Sequence, residues 1–156
     1  MKPIYWKDEL ITEDDLKFMC YMVERIARRL HRHNWEIMDA IPREELYRLI
    51  QTAAVLHCMN PLQVEQNWID DFNLSPGSFD VTDVNPRFCE TIPTALQMGK
   101  VYMRLIRDTL GEDEDYIEGM IRVYHHEICN TLDNYNGSAY YEPSYYIVRA
   151  YNDGGF

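Results

Sequence analysis

No stretch of the 156-residue sequence approaches the ~18–20 consecutive apolar residues that a membrane-spanning helix requires. Glycine is sparse, seven residues in all, and none recurs ahead of a helix with the spacing of a phosphate-cradling loop. A serine-nucleophile motif is also missing. The four cysteines, Cys20, Cys58, Cys89 and Cys129, stand 38, 31 and 40 positions apart, without the close pairs that zinc sites and redox motifs need. Cys20 and Cys129 lie among apolar residues at helical spacing, where a thiol serves as a small hydrophobe. This cysteine usage fits a reduced, cytoplasmic protein. Charged residues near the N-terminus (Lys2, Lys7, Asp8 and Glu9) also interrupt any signal-peptide core. Basic residues are scarce, 15 Lys and Arg against 26 Asp and Glu, for a net charge of −11. That excess excludes generic binding to DNA or to an anionic membrane, both of which need surface cations.

The remaining composition suits one helical domain over residues 1–156. Hydrophobic residues make up 46% of the chain and aromatics 13%, enough to bury a core and exclude wholesale disorder. The charge is uneven. Residues 1–57 hold nine bases and ten acids, whereas residues 58–156 hold six bases and sixteen acids. The same unevenness marks two candidate subdomains, a near-neutral 1–72 and an acidic, tyrosine-rich 94–156.

Thr12 before Glu13, Asp14 and Asp15 reads as a helix start, with a capping hydroxyl and acids at the positive end of the dipole. Leu16, Met19, Cys20, Val23, Ile26, Ala27 and Leu30 continue as an amphipathic stripe, closed by Arg28, Arg29, His31, Arg32 and His33. Trp35 to Ile41 suggests a short helical turn ahead of Pro42, and Leu46 to His57 a second long helix. Asn60-Pro61 starts another. Residues 73–93 lose the pattern around Pro76, Gly77, Pro86 and Pro93, with Asp80 and Asp83 at otherwise apolar positions. This is a long irregular connector of the kind that often carries function. Helical spacing returns from Ala95 to Ile106, ending before Gly111, and the run from Glu112 to Asp115 starts another helix carried by Ile117 to Leu132, with Gly137 placed to end it in the left-handed conformation. Pro143 opens a last short helix. The expected fold is all-α, a compact bundle of five to seven helices without strands.

Two resemblances bear on function. Residues 14–58 resemble a small uncharacterised bacterial helical family, through Phe18, Cys20, Val23-Glu24, Ala27, Leu30, Leu46, Ile50 and the Val55-Leu56-His57 ending. That family is associated with genes beside ADP-ribosyltransferase-like toxins, which implies a toxin-associated role in a bacterial or phage setting. Separately, Arg25 with His31, or Arg28 with His33, resembles the arginine–histidine motif of the all-α, dimeric HEPN ribonucleases. The resemblance implies an arginine that steadies the scissile phosphate and a histidine that moves a proton. Ile26 stands where those motifs carry a polar residue after the arginine. The same residues also complement the negative end of a helix dipole.

His125 and His126 are adjacent, and helical neighbours point about 100° apart, so they do not share a metal ion. No metal or cofactor is expected. His57, between Leu56 and Cys58, reads as a hydrogen-bonded core or boundary histidine. Seven of the twelve tyrosines fall in the last 33 residues. Tyr140-Tyr141 and Tyr145-Tyr146 are adjacent pairs, so one ring of each points away from the core, with Tyr151 nearby. Glu112, Asp113, Glu114, Asp115 and Glu118 form an acidic helix start suited to steering a basic surface. The leading expectation is a non-enzymatic protein-binding module of the antitoxin, immunity or inhibitor type. It would use those acids and tyrosines on a basic protein partner. The alternatives are the HEPN-like ribonuclease and a homodimer formed through the tyrosines.

Overall fold

A computed structural model describes the backbone of residues 4–6 and 9–156, and side chains from Leu10 onward. Met1–Pro3, Lys7 and Asp8, which bear on the targeting expectation, lie outside the described residues. Helix α1, Glu13–Leu30, begins with the anticipated cap: Asp15 N–H donates to Thr12 Oγ1 (3.3 Å) and Thr12 N–H to Asp15 Oδ2 (2.9 Å). Then come α2 (Asn34–Ala40), α3 (Arg43–Gln51), α4 (Ala53–Leu56), α5 (Pro61–Asp71), α6 (Ala95–Thr109), α7 (Tyr116–Tyr124), α8 (Ile128–Leu132), a 3-10 turn (Ala139–Tyr141) and α9 (Ser144–Asp153). The fold is all-α, as expected, but with nine helices among the described residues rather than five to seven.

The extra helices come from breaks that periodicity does not register. Thr52 divides the second long helix, its hydroxyl donating back to the carbonyls of Arg48 (3.2 Å) and Leu49 (3.1 Å). At His126 the ring accepts from Ile128 N–H (3.0 Å) and restarts the chain as α8. Because α8 stops at Leu132, Gly137 terminates nothing and is not left-handed; that role falls to His31 (φ 55°), Asn73 (φ 52°) and Gly154 (φ 84°). A second correction is a small antiparallel ribbon, β1 (Ile4–Trp6) against β2 (Glu9–Ile11), pairing Ile4 with Ile11. Three-residue strands are too short to show an alternating pattern in sequence.

Helix α1 is the axis of the molecule, lying along α6 and touching α2, α3, α4 and α5. Leu16, Met19, Met22 and Ile26 of α1 are wholly buried beside Met98, Tyr102 and Leu105 of α6. One core runs from Ile11 to Ala150, so the near-neutral and acidic segments share it. Gly99 sets the α1–α6 approach: a Cβ there would lie 2.9 Å from both Cα and N of Tyr21. Backbone atoms of a packed helix cannot yield as a side-chain tip can. Gly99→Ala is therefore expected to destabilise by about 1–2 kcal/mol, read from denaturant midpoints. No described helix is long and apolar enough to cross a membrane.

Residues 73–93 are irregular, as expected, yet firmly held. The end of α1 leaves carbonyls without helical partners. Gly77 N–H donates to Leu30 O (2.7 Å) and Phe79 N–H to His31 O (2.8 Å), so the connector supplies those partners. Gly77 suits this contact because a Cβ would sit 2.8 Å from His31 O. Arg32 reaches the carbonyls of Ser75 (2.9 Å) and Pro76 (3.2 Å), Arg28 reaches Pro93 O (2.7 Å), and Asn85 N–H donates to Asn136 Oδ1 (2.8 Å). Arg32→Ala is expected to speed amide exchange at Gly77 and Phe79 by roughly fivefold, about the worth of one hydrogen bond, while leaving α6 unchanged.

Candidate functional site

The anchored connector closes one side of a cleft of about 300 Å³. His33 and Trp35, at the start of α2, form a second side, and Asn130 to Asn136, from α8 and the turn after it, the third. The His33 ring lies nearly parallel to Phe79 with centroids 3.6 Å apart, and Trp35 stacks on its flank at 5.7 Å. Three carboxylates line the space: Asp80, Asp83 and Asp133. Asp80 folds into a tight turn, accepting from Thr82 N–H (2.9 Å) and Thr82 Oγ1 (2.6 Å), and these bonds hold its carboxyl below the usual range.

Asp133 connects the cleft to a polar cluster in the core. Tyr102 donates to its Oδ1 (2.7 Å), and Asn34 donates to its Oδ2 (3.1 Å) and to Glu24 Oε1 (3.0 Å). Glu24 and Asn34 are buried, so one amide bridges two carboxyl groups deep between α1, α2 and α8. Burial pushes both carboxyls well up from their ordinary values, and for Glu24 the neighbouring Asp133 adds to the shift. The nearby cation is Arg28, but its Nη2 bonds to Pro93 O and to the Tyr135 hydroxyl (3.1 Å) rather than to either acid.

The basic residues of the ribonuclease-like motif have separate structural employment. Arg25 pairs through Nε with buried Glu65 (2.9 Å) and bonds to the Tyr21 hydroxyl (3.0 Å). Arg29 takes the other oxygen of Glu65 (3.0 Å), so α5 is clamped to α1. Arg28 and Arg32 hold the connector. His31 is the exposed left-handed residue capping α1, whereas His33 stands in the cleft wall. Thus the cluster forms two clamps, with only His33 lining the cleft.

The acidic start of α7 is divided in the same way. Glu112 and Asp113 are exposed. Glu114 is held by Arg122 (2.6 Å), Asp115 caps α7 and accepts from the Tyr47 hydroxyl (2.8 Å), and Glu118 pairs with Arg43 and Tyr47. Among the tyrosine pairs, Tyr141 and Tyr145 face outward at 68% and 73% exposure, while Tyr140 and Tyr146 are half-buried. Tyr151 accepts from Arg122 Nη1 (2.7 Å) and packs on His126. Tyr140 and Tyr141 also line a smaller groove of about 130 Å³ with Val101, Arg104 and Ile147. His57 is a correction: it is exposed, resting against Phe18 at 4.9 Å. The turn to α5 leaves the end of α4 at the surface. His125 pairs with Asp39 and Ile121 O, and no three described His, Cys, Asp or Glu side chains are grouped to hold a metal ion.

No family model, curated protein or solved structure matches the chain.

Proposed function

We propose that the chain is a non-enzymatic recognition module of the antitoxin, immunity or inhibitor type, which binds a basic protein through its acidic, tyrosine-rich C-terminal half. The observation that carries this reading is the outward pair Tyr141 and Tyr145, exposed on a half that holds sixteen acids and six bases. Tyrosine suits interfaces because a rigid ring gains contact area at little entropic cost while its hydroxyl stays solvated. The surrounding charge favours cationic partners and speeds their encounter. Exposed Glu112 and Asp113 add to the same field. The toxin-associated character rests on the resemblance of residues 14–58.

The direct test is capture from a lysate at low salt, on immobilised chain beside its Tyr141→Ser, Tyr145→Ser variant. Retention of a basic protein, released by moderate salt and lost with the variant, is expected. Equal retention by both proteins, or none by either, would contradict the reading.

A further inference from the structure

We propose that the cleft between His33, Phe79 and Asp133 is a receptor for one arginine side chain of that basic partner. This inference rests on the binding reading above and adds to it a defined pocket with a defined guest. The space, about 300 Å³, is large enough for a guanidinium and its methylene stem. Its walls are aromatic on several sides: the stacked His33 and Phe79, the half-exposed Trp35, and Tyr135. Its polar lining includes three carboxylates, Asp80, Asp83 and Asp133, the last already bonded to Tyr102 and Asn34, beside the amides of Asn130, Asn134 and Asn136, which both donate and accept. Planar guanidinium stacks on aromatic faces and forks onto carboxylates, and a compact ammonium does the first less well.

The charge balance points the same way. Asp80 stays ionised, because its bonds from Thr82 lower its proton affinity. Asp83 is exposed at the rim. The neighbouring arginines are already engaged, Arg28 by Pro93 O and Tyr135 and Arg32 by Ser75 O, Pro76 O and Glu36, and neither pairs with Asp80 or Asp83. An entering cation therefore meets unpaired negative charge, whereas a phosphate or carboxylate guest would be repelled. The walls are also rigid, since backbone bonds and Arg32 fix the Phe79 side before any ligand arrives. Preorganisation of this kind lowers the ordering cost of binding.

Three small probes separate the terms: the N-acetyl methylamides of arginine, lysine and citrulline. Each is titrated into the isotopically labelled full chain at concentrations on the order of millimolar, where weak single-residue contacts saturate. The arginine probe is expected to shift the Trp35 indole and the Phe79 and Asn134 amides saturably. Lysine should bind roughly threefold more weakly and citrulline not detectably. Asp80→Asn with Asp83→Asn keeps the turn, because an asparagine oxygen can still accept from Thr82, and should weaken the arginine probe by about tenfold. Equal binding of citrulline, shifts elsewhere on the chain, or an unchanged affinity in the double variant would overturn the proposal. The capture experiment keeps the two readings apart. A basic protein retained equally by wild type and by the double aspartate variant leaves the binding reading standing and removes the cleft from it. A saturable arginine site without any retained protein does the reverse.

Discussion

Glu65→Ala is expected to destabilise the protein by about 2–3 kcal/mol, lowering the thermal midpoint by roughly 5–10 °C for a chain of this size. Glu65 is buried, yet it holds both Arg25 (2.9 Å) and Arg29 (3.0 Å), one on each oxygen. Removing it strands two cations that now have only Tyr21 and Gln66 as side-chain partners. A cavity also opens beside Trp68, one turn along α5. The loss stays below that of a fully buried pair because both arginine side chains retain some exposure and can recover water. Glu65→Gln retains the volume and one acceptor, so about half the loss is expected. Chemical denaturation of the three proteins checks the order. Equal stability of wild type and Glu65→Ala would show that the clamp between α1 and α5 contributes nothing.

The second large effect is a stability that falls as pH rises. Glu24 and Asp133 take protons more readily folded than unfolded, because burial and mutual repulsion disfavour the second charge. Unfolded, the glutamate titrates near its ordinary 4.5; folded, it holds its proton to about 8. Between those values the folded state binds more protons than the unfolded state. Raising pH therefore favours unfolding, and the added stability is present in full only below the unfolded value. His125, whose affinity for a proton is raised by Ile121 O and by Asp39 against the opposing cost of burial, acts in the same direction above its ordinary 6.5. From pH 5 to pH 8 the protein is expected to lose on the order of 2 kcal/mol. Glu24→Gln should remove the part of that slope nearest pH 8 and leave the part that buried Asp133 carries below about 7, while His125→Asn leaves most of it. Thermal midpoints at five pH values for each variant measure this. A slope unchanged by Glu24→Gln would contradict the shared-proton account of the core cluster.

Much of the scaffold is legible in the sequence because it is encoded locally. The Thr12 cap, the apolar stripe of α1, the Asn60 cap and the outward member of each tyrosine pair follow from spacing alone. The breaks at Thr52 and His126 escape periodicity, since a single side chain bonding to backbone decides them. The clamps are equally invisible from one residue's neighbours. Arg122, Arg43 and Tyr47 reach the acidic run from elsewhere in the chain and occupy three of its five carboxylates. The cleft escapes for the same reason, being assembled from three distant segments. Asp80 and Asp83 interrupting an apolar pattern were its visible trace. Asn34, buried between two acids, left none.

Hydrogen exchange of the chain alone and with a captured basic protein locates the surface that the partner covers. Slowed exchange is expected in residues 79–84 and 130–146, where the cleft and the outward tyrosines lie, with α4 and the N-terminal part of α5 unchanged. Protection confined to α3–α5, with 130–146 exchanging as in the free chain, would contradict it.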